Sequence, residues 1–253
     1  MDSQTYMNFH GILLYRRDYK ENDMLVKFLT AEAGKKMFFI RGARKRGFKM
    51  MADILPFTYG TYSGKINNEN LSYIYSGLDT SHYENISEDI FLNAYATYIM
   101  SLIDTAFEDS VPIPFWFNQL FAALRFIDNG VDPDVITNIM EIQLLDVFGV
   151  KPELRGCSVC GRNDLNFDYS ESYGGLICQN HFHLDENRLH LDQKTIYYLR
   201  RFSIIDLNRL GNVNVNETTK VNLRKLLDKI YSDSVGIHLK SKKFLDQIND
   251  LKL

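Results

Sequence analysis

Apolar and polar residues alternate in short runs over the first third of the chain. The runs span residues 12–15, 24–29, 36–41, 54–62 and 71–76. They are rich in β-branched and aromatic residues, and turn formers such as Gly34 and Gly42 separate them. Runs of this composition bounded by turn residues predict strands, although a short apolar run such as 24–29 also suits a helix. Five strands in so short a segment fit a small closed barrel of OB-fold size. The residues between the third and fourth runs, 43–52, form a basic loop.

From Ser87 the period lengthens to that of a helix. Ser87-Glu88-Asp89 reads as an N-cap with acids in the first turn. Ile90, Phe91, Ala94, Tyr98, Leu102 and Ile103 then fall on one helical face. Pro112 and Pro114 interrupt the pattern, a second helix follows over 115–128, and Asn129-Gly130 stops it. Asp132-Pro133 is a cap followed by proline at the first helical position, which predicts a third helix over 134–148. Helical periodicity returns over 192–210, 221–231 and 241–251. The fold class expected is multi-domain α+β. A five-stranded OB-fold barrel occupies 1–80. An α-helical domain is formed by 81–150 and 190–253, and a zinc-ribbon-like module at 151–189 is inserted into it.

That insertion carries the most specific chemistry. All three cysteines of the chain lie within 22 residues, as Cys157-Ser-Val-Cys160 and Cys178-Gln-Asn-His181. The spacing C-x2-C-x17-C-x2-H is that of two metal-binding knuckles. Each knuckle presents two ligands from a tight loop, and Gly161 lets the chain turn after Cys160. His183 offers an alternative fourth ligand to His181. Four protein ligands leave no open position, so the expected Zn²⁺ is a structural staple and not an activator of water. Phe167, Tyr169 and Tyr173 before Gly174-Gly175 suggest a short hairpin between the knuckles. A module this small depends on its metal to fold.

Composition narrows the setting. The chain has 253 residues, 45% hydrophobic and 24% charged, the values of an ordinary globular protein. No apolar run reaches the roughly 18 residues of a membrane span, and the start Met1-Asp2-Ser3-Gln4 lacks signal-peptide features. Cysteines held in a metal pattern fit a reducing cytoplasm. The formal charge of −3 conceals an asymmetry. Residues 1–80 hold 12 Lys and Arg against 8 Asp and Glu, a net of +4, and the remainder carries −7. Seven bases and no acid lie between Glu32 and Asp53: Lys35, Lys36, Arg41, Arg44, Lys45, Arg46 and Lys49. A cationic loop on a barrel is suited to a phosphate backbone, with Phe38, Phe39, Phe48, Tyr59 or Tyr62 as candidates to stack bases. Phe38 and Phe39 point to opposite faces, so one of them belongs to the core.

Enzymatic motifs are missing. There is no Gly-rich phosphate loop, no G-x-S-x-G and no H-E-x-x-H. His82-Tyr83-Glu84 matches half of a zinc-deaminase signature, but Gly156 stands where that signature needs proline, and Cys178 and His181 would have no role.

The order of barrel, basic loop, helices, knuckles and helices resembles the bacterial RecO family of recombination mediators. The resemblance is carried by Gly11 through Tyr19, Glu21-Asn-Asp23, Lys27-Phe-Leu-Thr30, Gly34-Lys35, Arg41-Gly42-Ala43-Arg44 and Leu55-Pro56-Phe57. It continues in Glu141-Ile-Gln-Leu-Leu, Gly149, Gly156-Cys157-Ser-Val-Cys160-Gly161, Gly174-Gly175-Leu-Ile-Cys178 and Lys240-Ser-Lys-Lys-Phe-Leu245. His181 stands where the family usually has a fourth cysteine. The resemblance implies a non-enzymatic protein that binds single- and double-stranded DNA and anneals complementary strands. It also implies that the protein acts with RecR to load RecA onto DNA coated by single-strand binding protein (SSB), in the cytoplasm at the nucleoid. Capture of the acidic SSB tail by the helical domain is implied too, and Arg200, Arg201, Lys240, Lys242 and Lys243, with Phe244 beside them, are the cations available. The second reading is a zinc-ribbon adaptor or transcription-associated protein whose barrel binds RNA or another protein.

Overall fold

The first strand is long enough to pair with two others, and that length closes the sheet. In the computed structural model, which describes residues 5–67, 70–211 and 213–251, β1 runs Thr5–Tyr19. Its second half pairs antiparallel with β2 (Asp23–Thr30), and its first half pairs antiparallel with β4 (Thr58–Ile66). β2 continues to β3 (Gly34–Ile40), and β3 meets β5 (Ser72–His82) in a parallel pairing, Phe38 with Ser72 and Phe39 with Tyr73. β5 returns antiparallel to β4, so the barrel closes in the order β1-β2-β3-β5-β4. The circuit closes narrowly, since the β3–β5 junction is two residue pairs long. Phe9, Leu13, Val26, Phe28, Phe38, Tyr62 and Ile74 fill the interior. Phe9 stacks on Phe38 at 5.0 Å, and Phe28 meets Phe38 edge-on at 5.7 Å, favourable ring geometries.

β4 begins later than the apolar run suggested. Residues Ala52–Ile54 form a 3-10 turn, and Phe57 adopts φ +63° before the strand starts. The β2–β3 turn depends on Gly34, whose φ is +69° and where a Cβ would lie 2.0 Å from the Val111 carbonyl oxygen.

By internal contacts the chain forms two compact units, Met1–Val131 with Leu239–Leu253, and Asp132–His238. The first contains the barrel, a single turn α1 (Glu84–Glu88), α2 (Ile90–Ala106), α3 (Pro114–Asp128) and α7 (Lys240–Asp250). The helix start differs from the expected Ser87 cap. Asp89 is the cap, and its carboxylate accepts from the N–H groups of Phe91 and Leu92. Ile90 consequently lies on the outside, 56% exposed, while Tyr95 and Ile99 join Ala94, Tyr98, Leu102 and Ile103 in the interior. The Tyr95 hydroxyl bonds the Asn249 side chain at 3.1 Å, so α7 packs on α2. This division cuts the helical part differently from the grouping of 190–253 with 81–150.

The second unit holds α4 (Pro133–Val147), a hairpin of β6 (Phe167–Ser170) and β7 (Gly175–Cys178), α5 (Gln193–Phe202) and α6 (Glu217–Ile230). Asp132, Asp192 and Asn216 cap the three helices as acceptors. α5 stops at Phe202, short of residue 210. The Gln143 amide captures the carbonyls of Phe202 and Ile205 at 2.9 and 2.7 Å, satisfying acceptors that a longer helix would have paired itself. Among the described residues no helix is long and apolar enough to cross a membrane.

Candidate metal centre and nucleic-acid interface

Two turns bring four donors together. The first follows Gly156: the Cys157 N–H donates to the Arg162 carbonyl at 2.8 Å, and the Gly161 N–H returns to the Cys157 carbonyl at 2.8 Å. Gly161 supplies φ +72° for that turn. The second turn leaves the end of β7, where Cys178 is followed by a 3-10 turn, Gln179–Leu184, that carries His181. The ligand atoms of Cys157, Cys160, Cys178 and His181 all lie within 4.8 Å of one another. His181 Nδ1 is 3.5 Å from Cys157 Sγ and 3.2 Å from Cys178 Sγ, and the Cys160 and Cys178 sulfurs are 3.9 Å apart.

These separations match a metal. A tetrahedron with Zn–S of about 2.3 Å and Zn–N of about 2.0–2.1 Å has edges of roughly 3.5–3.8 Å. The donor set also suits one. Burial opposes ionisation of Cys157, but N–H groups of Cys178, Cys160 and Val159 point at it and bring its pKa down to about 6. Burial and the neighbouring cysteines push Cys178 upward. Packed thiolates repel one another, and a dication between them removes that conflict. His183 stands outside the group, its ring 6.4 Å from that of His181.

The knuckles rest on polar supports that periodicity does not reveal. Buried Asp168 accepts from the N–H groups of His190 and Leu191 at 2.8 and 2.9 Å and pairs with Arg188. The Gln193 amide bonds both the N–H and the carbonyl of Phe167, serving β6 as a further strand would.

The seven expected DNA-binding cations divide into two sets. Lys35 and Lys36 are 2% and 4% exposed. Lys35 Nζ reaches the Asp104 carbonyl and carboxylate and Asp109, while Lys36 Nζ donates to the Asn67 carbonyl at 3.0 Å and to Ser110 Oγ at 2.8 Å. Both are taken up by buried contacts, chiefly with the end of α2 and the segment after it, and neither stands open to solvent as a DNA-binding cation would. Arg41, Arg44, Lys45, Arg46 and Lys49 are exposed. Arg44 pairs loosely with Asp18 at 3.3 Å; the other four have no ion pair among the described residues. The loop is fixed at its root, where the Gly42 N–H donates to Asp23 and the Arg44 N–H donates to the Asn22 carbonyl. This places it beside the β1–β2 turn, which adds exposed Arg17 and Lys20.

Most of the expected stacking aromatics are elsewhere. Phe38 and Tyr62 are core, Phe48 packs against that core, and Tyr59 lies between Tyr83 and Phe121. Only Phe39 faces outward. The cations considered for a partner also separate. Arg200 holds the knuckle segment, donating to the carbonyls of Leu154 and Arg155 at 3.0 and 2.8 Å and covering the Phe167 ring. Arg201 lies along Tyr197, and Lys242 is tied to Asp246. Lys240 and Lys243 are exposed, with no ion pair among the described residues, and Phe244 is exposed next to them. Arg200 and Arg201 belong to the second compact unit, Lys240, Lys242 and Lys243 to the first.

Two family models cover the chain. Residues 1–81 match "Recombination protein O N terminal", and residues 87–243 match "Recombination protein O C terminal". The chain is 61% identical over 246 residues to a protein of Levilactobacillus brevis, covering 97% of this chain and 95% of that one. It is 58% identical to one of Lactiplantibacillus plantarum, covering 95% and 93%, and 45% identical to one of Pediococcus pentosaceus, covering 98% of each. All three relatives bear the name DNA repair protein RecO. With matched models over both parts and relatives of nearly equal length, the chain belongs to the RecO family of recombination and DNA-repair proteins.

Proposed function

We propose that this protein is a non-enzymatic recombination mediator. It binds single- and double-stranded DNA through the barrel, anneals complementary strands and, with RecR, helps load RecA onto SSB-coated DNA. The observation that carries the DNA reading is the exposed loop of Arg41, Arg44, Lys45, Arg46 and Lys49, rooted against the barrel and largely free of carboxylate partners. Contacts of this kind go to phosphates, so binding is sequence-tolerant and salt-sensitive. Replacing Arg41, Lys45 and Arg46 with alanine flattens the slope of log K against log salt by about two to three units. An unchanged slope would place the DNA site elsewhere on the molecule. Annealing is tested directly with complementary oligonucleotides coated by SSB, and the same triple variant is expected to lose it.

The metal in this reading is Zn²⁺, held by Cys157, Cys160, Cys178 and His181 with no open position, and its role is structural. The SSB tail, acidic and ending in an aromatic residue, fits the exposed pair Lys240 and Lys243 beside Phe244. Reversing both charges weakens tail-peptide binding and spares binding to bare DNA. Tail affinity within about twofold of the parent, roughly 0.4 kcal/mol, removes this surface from the reading.

A further inference from the structure

One row of side chains crosses three strand boundaries on the outside of the barrel. Phe39 on β3 is in register with Tyr73 on β5, Tyr73 with Lys65 on β4, and Lys65 with Tyr6 on β1. Registered neighbours share a face, and this face is the outer one. Tyr6 is 70% exposed, Tyr75 52% and Tyr73 40%. The rings touch in two groups, one on either side of Lys65 in the register. Tyr19 meets Phe39 edge-on at 6.0 Å, Phe39 meets Tyr73 at 6.1 Å, and Tyr6 stacks on Tyr75 at 5.9 Å with an interplanar angle of 17°. Lys65 Nζ lies 5.5 Å from the Tyr6 ring centre and has no carboxylate partner among the described residues. A cleft of about 570 Å³ opens between Lys65, Asn67, Asn70, Tyr73 and Tyr75. That volume is in the range of small-molecule sites.

Single exposed aromatics are common on protein surfaces, but a connected row is not. The occupant is indicated by what adjoins the row. Its Tyr19 end reaches Lys20 and the β1–β2 turn, which the cationic loop abuts through Asn22 and Arg44. Cations for phosphates thus run into exposed rings with a further cation and two amides among them. That combination suits a strand with unpaired bases, since any base can stack and duplex bases are already stacked on each other.

We infer that Tyr6, Tyr73 and Tyr75, continued by Phe39 and Tyr19, form a stacking surface for the bases of single-stranded DNA, with Lys65 and the cationic loop holding the phosphates. This rests on the DNA-binding reading above and adds to it the part of the ligand that is read. The loop takes either form of DNA by its charge; the row distinguishes single strands by their open bases.

The test compares a labelled oligo-dT with an oligomer of the same length carrying abasic sites, on the full chain. The wild type is expected to bind the intact oligomer at least about tenfold more tightly. Tyr73→Ala/Tyr75→Ala is expected to abolish that preference, leave the salt slope unchanged and leave duplex binding within about twofold. Tyr73→Phe/Tyr75→Phe keeps the ring faces and is expected to keep the preference. Persistence of the preference in the alanine variant overturns the inference. So does an equal loss for both oligomers, which would mean that the rings only support the fold. Oligo-dT affinity within about twofold in the alanine variant would assign the row to a protein partner and also overturn it, while a normal salt slope leaves the DNA reading standing. Failure of the wild type to bind any DNA overturns both.

Discussion

Treatment with a chelator is expected to melt the 151–189 segment and leave the barrel folded. The expectation follows from what the segment contains without its metal. The β6–β7 hairpin is two four-residue strands, and a two-stranded hairpin is marginal by itself in water. Structural zinc contributes about 10–16 kcal/mol in zinc-finger peptides at neutral pH, comparable with the whole stability of an ordinary domain. Cys178→Ala is expected to act like chelation, because it removes a donor and the anchor of the second turn. Hydrogen exchange resolves the two parts: amides of β6 and β7 lose protection, and those of β1 and β2 keep it. Retained protection in the hairpin after chelation would show that Asp168, Gln193 and Arg200 suffice to hold it. Metal analysis with well under one ion per chain in freshly purified protein would count against the site altogether. The two histidines give a sharper contrast. His181→Ala is expected to release the metal and His183→Ala to retain it, since only His181 lies among the sulfurs.

The cluster was legible because knuckle spacing is a local property. Two residues between ligands fix a tight turn wherever the segment sits. The five strands were legible for a related reason, as short runs rich in β-branched and aromatic residues between turn formers are a local signal. Their pairing was not. That β1 serves two partners, and that β3 meets β5 in parallel, depends on residues far apart in the chain. The same non-local closure decides which cations are free. Lys35 and Lys36 look like members of the basic run, yet the strand carries them against Asp104, Asp109, Asn67 and Ser110. Arg41 and Lys45, a few residues later, leave the strand and stay in solvent. The aromatics followed the opposite course. Tyr6, Tyr73 and Tyr75 lie outside the basic run and attract no notice in sequence, and only strand register assembles them. Helix α5 shows a third limit. Its apolar period runs past Phe202, where the helix ends and a glutamine on α4 takes up the carbonyls of Phe202 and Ile205.

Asp104→Ala is expected to destabilise the first compact unit by about 3–5 kcal/mol, the usual effect of stripping a buried cation of its partner. Two lysines depend on this carboxylate. Lys27 Nζ lies 2.6 Å from it and Lys35 Nζ 3.2 Å, and both lysines are buried. Lys35 also donates to the Asp104 carbonyl in the last turn of α2, where a cation is favoured by the helix dipole. Asp109 bonds the same two lysines at 3.0 and 3.1 Å but is half exposed, so it replaces only part of what is lost. The pH dependence has a definite sign at both ends. Burial opposes the charge on Lys27, but the hydrogen bonds it donates to Asp104 and Asp109 outweigh it and raise its pKa above the ordinary lysine value. Its contribution is therefore present at neutral pH and lost as pH rises through that raised value. Burial likewise opposes the charge on Asp109, but Lys27 and Lys35 hold its pKa below the ordinary aspartate value. Its contribution is lost as pH falls through that lowered value. Denaturant unfolding of the parent and of Asp104→Ala measures the loss, and a difference under about 1 kcal/mol would mean that water or Asp109 already satisfies the lysines. The variant Lys27→Met/Lys35→Met/Asp104→Leu separates charge from packing. Replacing these three side chains with apolar residues of similar volume is expected to cost much less than Asp104→Ala, because the cost of burying the three charges disappears along with their attraction and the half-exposed Asp109 is left to solvent. DNA affinity at low temperature is expected to survive in both variants, since the exposed loop cations take no part in the cluster.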